Sequence, residues 1–130
     1  MMAIETLTKE RVSFIDYRGT KILLVDFSKS SGELMIETMN HAAELGKRLD
    51  GNVNIVANFK STPKSTEFNK RLKEIGKEYK SLEIDVKLAA LGIDSTFKRV
   101  VVNATIIVTK LKNVKLFETK AQALEWIASG

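Results

Sequence analysis

The sequence has no cysteine, one proline, one histidine and few aromatic residues in its 130 positions. Without a thiol there is no disulfide, no thiolate metal ligand and no cysteine nucleophile. The lone imidazole, His41, has no partner at metal-ligand spacing. The seven glycines are scattered, with no phosphate-cradling spacing. No apolar run reaches the roughly 18 residues that a membrane-spanning helix needs. The opening stretch, 1–11, carries Glu5 and Glu10 and lacks the apolar core of an export signal. These absences predict a cytoplasmic chain with no membrane span, no metal and no cofactor.

What is present is ordinary for a globular protein. Hydrophobic residues make up 44% and charged residues 28% of the chain. The length fits one domain, residues 1–130, able to bury a core without staples. The net charge of +5 permits an anionic partner but does not require one. No linker, internal repeat or low-complexity segment is visible.

Arg11 to Asp16 reads as a strand, Tyr17-Arg18-Gly19-Thr20 as a turn, and Lys21 to Phe27 as a buried strand. Together they form a hairpin. Ser30 or Ser31 caps a helix running to about Leu49, where Asp50-Gly51 ends it. Leu34, Met35, Thr38, Met39, Ala42, Leu45, Gly46 and Leu49 share one face at helical spacing. Val53 to Phe59 is a third strand. Thr62-Pro63 starts a second helix, with proline at its first position and an apolar stripe of Phe68, Leu72, Ile75 and Tyr79. Val86 to Ile93 is a fourth strand. A third helix is predicted over 95–111. Its valine and isoleucine content suits a strand, but Phe97, Val100, Val101, Ala104, Ile107, Val108 and Leu111 recur at helical spacing. Asn113 to Phe117 is a fifth strand, and Thr119 caps a last helix carrying Ala121, Leu124, Trp126 and Ile127. The order β-β-α-β-α-β-α-β-α implies an α/β fold with a five-stranded, mostly parallel or mixed sheet.

Three stretches carry a resemblance: YRGTKILLVDFS at 17–28, KLAALGI at 87–93 and VKLFETKAQALEWIAS at 114–129. With the element order, they resemble the STAS domain (sulfate transporter and anti-sigma-factor antagonist), closest to stand-alone SpoIIAA-like proteins. The resemblance implies a non-enzymatic regulatory domain that binds other proteins. It also implies a phosphorylated serine, in an Asp-Ser-Ser-Gly motif, where the helix after the third strand begins. Here that place reads Asn58-Phe59-Lys60-Ser61-Thr62-Pro63-Lys64-Ser65, without the motif. Ser61, Thr62 and Ser65 are the hydroxyls available there for phosphate, or for an anion at the helix N-terminus. Lys29-Ser30-Ser31-Gly32 echoes the motif one element too early and reads as turn and cap chemistry. A likeness of related proteins to lipid-carrying domains supplies the alternative, a carrier or sensor of a small apolar or lipid-like ligand. That alternative needs a cavity between the third helix and the sheet.

The residues themselves offer little catalytic chemistry. His41 sits at the edge of an amphipathic face, the ordinary place for such a residue. Asp16 and Asp26 end the two hairpin strands and would form an acid–base pair only if brought together. Gly92 precedes a capped helix and could turn the chain or admit an anion. On the second helix Lys70, Lys73, Lys77 and Lys80 form one stripe opposite the apolar face. It fits either a solvated surface, with Glu67 and Arg71 paired at i,i+4, or an anionic partner. No aromatic residues interleave with the lysines, so nucleic acid is not expected. Val102 and Ile106 lie off the core face of the third helix and suit a homodimer or partner contact. The expected function is a protein–protein adaptor rather than an enzyme.

Overall fold

The computed structural model describes residues 10–49, 52–63, 66–93 and 113–129. Strands β1 (Val12–Tyr17) and β2 (Thr20–Asp26) form the hairpin. Arg18 and Gly19, with φ of 50° and 81°, make the two-residue turn whose backbone suits the strand twist. Helix α1 (Gly32–Lys47), β3 (Val53–Asn58), α2 (Thr66–Ser81), β4 (Val86–Leu91), β5 (Asn113–Phe117) and α3 (Lys120–Ala128) follow. The sheet order is β1-β2-β3-β4-β5, antiparallel at the first pair and parallel thereafter. The molecule is thus α/β, with a five-stranded mixed sheet and three helices among the described residues. No described helix is long and apolar enough to cross a membrane.

Alternation along the strands explains the unbroken apolar run in β2. Ile22 and Leu23 point to opposite faces, and both are buried because both faces are covered. On one face α1 and α2 pack Met35, Met39, Ala42, Phe68, Ile75 and Tyr79 against Leu23, Val25, Val53 and Ala57. On the other, Ala123 and Ile127 of α3 close over Ile22, Val56 and Ala89. The caps are those expected: the Ser31 side chain accepts from the Leu34 N–H, and that of Thr119 from the Gln122 N–H.

Helix α2 is described from Thr66, three residues beyond the proline expected to start it. After β3 the chain turns with Ser61 in the left-handed region (φ 57°). The Thr62 hydroxyl donates back to the Phe59 carbonyl at 2.9 Å, so its proton serves a turn. On α1 the buried face shifts slightly: Ala43 is buried, while Leu34, Leu45 and Leu49 are half-buried. Asp50-Gly51, the expected helix over 95–111 with Val102 and Ile106, and Ser65 lie outside the described residues.

Two glycines set how closely the layers approach. A Cβ on Gly46 would collide with the Tyr79 hydroxyl, which donates to the Ala43 carbonyl at 2.6 Å. Gly92 has φ 77°, and a Cβ there would lie 2.5 Å from the backbone nitrogen of Lys60. It is therefore a turn held against the β3 loop.

Candidate functional site

The helices α1 and α2 leave the sheet at the carboxyl ends of its parallel strands, so the β2 and β3 loops meet there. Asp26 accepts from the Ser28 N–H at 2.9 Å through Oδ1, a side-chain turn. Arg11 reaches over the same loop. Its Nη1 donates to the Asp26 carbonyl at 3.0 Å, the Ser28 carbonyl at 2.7 Å and Ser30 Oγ at 2.9 Å. The ladder continues past the strand ends: the Phe27 N–H donates to Asn58 O, the Lys29 N–H to Lys60 O and the Phe59 N–H to Leu91 O. Asn58 Oδ1 accepts from the Lys60 N–H at 3.1 Å. Beneath this edge Phe27 stacks on Phe59 at 5.0 Å, and Phe68 of α2 meets both edge-on. Ser61 and Lys60 are exposed at the rim, and Thr62 is half-buried. The described carboxyl edge is therefore a hydrogen-bonded rim on an aromatic base.

Helix α2 rises from this rim. Phe68, Ile75, Gly76 and Tyr79 are buried, and Lys70, Lys73, Lys77 and Lys80 are all exposed. What happens to the helix's acidic residues decides the character of the stripe. Glu78 pairs with Lys47 of α1, and its hydrogen bond is the main reason that the lysine's pKa lies above its ordinary value. Glu74 pairs with Arg71 at 3.3 Å. The expected Glu67–Arg71 pair does not form, because Arg71 turns toward α1 and donates from Nε to Asn40 Oδ1 at 2.6 Å. Among the described residues no ion pair engages Lys70, Lys73 or Lys77. From Lys70 to Lys77 the row runs about 10 Å at ~1.5 Å per residue.

Other candidates are not brought together. Asp16 stands opposite Lys21 near the hairpin turn, whereas Asp26 lies beyond the Val12–Val25 pair at the far end. Antiparallel register separates the two carboxylates by five residue pairs, about 17 Å at ~3.4 Å each. They therefore form no acid–base pair. His41 is half-buried on α1. No group of three or more histidine, aspartate or glutamate side chains could hold a metal among the described residues. The close approach of Gly92 to Lys60 fits the turn reading of that glycine. The cavity that a lipid-like ligand would need beside the third helix lies outside the described residues.

The Arg11 clamp was not anticipated, because its contacts span 15 to 19 residues. The Asp26-x-Ser28 and Asn58-x-Lys60 spacings do carry a local signal for their side-chain turns.

Fold and site together define a class: an α/β domain presenting a turn-built loop edge and a helix face whose Lys70, Lys73 and Lys77 make no ion pair among the described residues. Compared with family models, curated proteins and solved structures, the chain matches none.

Proposed function

We propose that this chain is a non-enzymatic regulatory domain of the STAS kind that binds an acidic protein partner through α2. The observation that carries the reading is the row Lys70, Lys73 and Lys77, exposed and without an ion pair among the described residues. A merely solvated helix commonly neutralises such a row with acids three or four positions away. Here Glu74 pairs with Arg71, Lys73 has no acid at that spacing, and Glu67, three positions before Lys70, makes no ion pair with it among the described residues. The rim at Lys60 and Ser61 continues the basic surface toward the start of the helix. In this reading Ser61 is the exposed hydroxyl for phosphate, since Thr62 is half-buried and bonded to Phe59. A phosphate there would lower the positive potential that the partner meets.

The test is a photo-crosslinker at position 73 in cells of the source organism, followed by affinity measurements on the captured protein over a salt series. The expected result is an acidic partner whose affinity for the Lys70→Gln, Lys73→Gln, Lys77→Gln variant falls about tenfold or more, with a flatter salt dependence. An unchanged affinity and salt slope would falsify the reading.

A further inference from the structure

At the opposite, amino edge of the sheet lies a cavity of about 980 Å³, bordered by Asn52, Asn54, Asp85, Lys87, Asn113 and Trp126. This is the upper part of the size range of small-molecule sites, roughly 300–1,000 Å³. We propose that it is a binding site for a neutral, hydroxyl-rich small molecule, a sugar or polyol, separate from the α2 surface.

The argument begins with register. Asn54 of β3 pairs with Lys87 of β4, and Lys87 with Asn113 of β5. The three side chains therefore leave the same face of the sheet in one row. With neighbouring strands ~4.8 Å apart, the two amide-bearing positions stand about 10 Å from each other. The lysine between them is already committed. Its Nζ donates to the Trp126 carbonyl at 2.7 Å and the Ile127 carbonyl at 3.2 Å, and lies 4.6 Å from the centre of the Trp126 ring. It holds the C-terminal end of α3 against the sheet and neutralises the partial negative charge there.

The amides are not so committed. No hydrogen bond engages the side chains of Asn52, Asn54 or Asn113 among the described residues. Each offers two donors and one acceptor oxygen toward the cavity. The exposed carboxylate of Asp85 adds acceptors alone.

The same inventory excludes the other ligand classes. Two helices, α2 and α3, bring their carbonyl ends to this cavity, because each runs back from the carboxyl edge of the sheet. Lys80 and Lys87 are balanced by Glu83 and Asp85 in the lining. There is no surplus of positive charge for an anion, and the helix ends disfavour one. An apolar ligand would strip water from three amides and a carboxylate and return no hydrogen bonds. Hydroxyl groups donate and accept alike, so they satisfy amide oxygens, amide N–H groups and the carboxylate at once. The half-buried indole of Trp126 supplies the apolar part of the lining.

The test is titration of ¹⁵N-labelled full-length protein with glucose, myo-inositol, glucose 6-phosphate and octanoate, watching the side-chain NH2 signals of Asn54 and Asn113. Glucose or myo-inositol is expected to shift both signals saturably at millimolar concentration, with glucose 6-phosphate weaker than glucose and octanoate without effect. Asn54→Leu should weaken the effective probe about tenfold, equivalent to the loss of one or two hydrogen bonds. Asn113→Ala, at an exposed position where the fold is not at risk, should weaken it several-fold. The absence of a saturable shift with both neutral probes overturns the proposal. So does tighter binding of the phosphate or of octanoate, or wild-type affinity in Asn113→Ala. None of these results bears on the lysine row of α2.

Discussion

Thr38 on α1 is fully buried, and its hydroxyl finds no hydrogen-bond partner among the described residues. A buried polar group left unpaired is costly, and valine has nearly the same shape. Thr38→Val should therefore stabilise the protein by about 1 kcal/mol, read as a higher denaturant midpoint with an unchanged slope. Tyr79 is the opposite case: it is buried, but its hydroxyl is bonded to the Ala43 carbonyl. Burial, followed by the charges of Glu44 and Glu78, pushes its pKa up to about 12. The folded state thus keeps a proton that the unfolded chain releases near pH 10. This contribution to stability is constant below pH 10 and is lost as the pH rises from 10 to 12. Tyr79→Phe should cost about 1 kcal/mol at neutral pH, the usual worth of such a bond. Its deficit against wild type should shrink over pH 10–12 in denaturation series run side by side.

Elements whose signals are local were legible in the sequence. The Arg18-Gly19 turn and the Ser31 and Thr119 caps occur as their spacing implies, as does the stripe of α2 at Phe68, Ile75 and Tyr79, with Leu72 half-buried. Pro63 lies before the described helix, and the Thr62 hydroxyl beside it turns back on Phe59, a contact that the rule for proline at a helix start does not register. The fate of the lysine stripe was hidden for a related reason. Arg71 prefers Asn40, and Glu78 prefers Lys47, each 31 residues away across the α1–α2 contact. Only tertiary packing reveals which charges remain uncompensated. The seating of α3 is likewise non-local, since Lys87 grips the helix end from β4. Lys87→Met keeps the stem but removes a charged donor to two carbonyls. It should lower stability by about 1.5–3 kcal/mol in denaturant unfolding. Thr119→Ala, which removes the cap at the other end of the same helix, should cost about 1 kcal/mol by the same measurement.

The sheet is laid down in chain order, each strand beside the one before it. Its two ends differ in kind. The carboxyl edge carries loops pinned by Arg11, whereas the amino edge carries amides without partners among the described residues. Arg11→Met should therefore loosen the Ser28–Ser30 loop and leave the amino edge undisturbed, visible as faster amide exchange at Lys29 but not at Val86. Chain order is broken by α3, which returns across the sheet to β3 and β4. Its Glu125 accepts from Tyr17 and pairs with Arg18, more than 100 residues upstream. On the ribosome this order has a consequence. The hairpin and the strands behind it can assemble as they emerge, but the surface around Ile22, Val56 and Ala89 lacks the cover of α3 until Lys120–Ala128 has left the tunnel. Nascent chains stalled before residue 119 should recruit a tunnel-side chaperone to that greasy surface, and chains long enough to expose α3 should shed it.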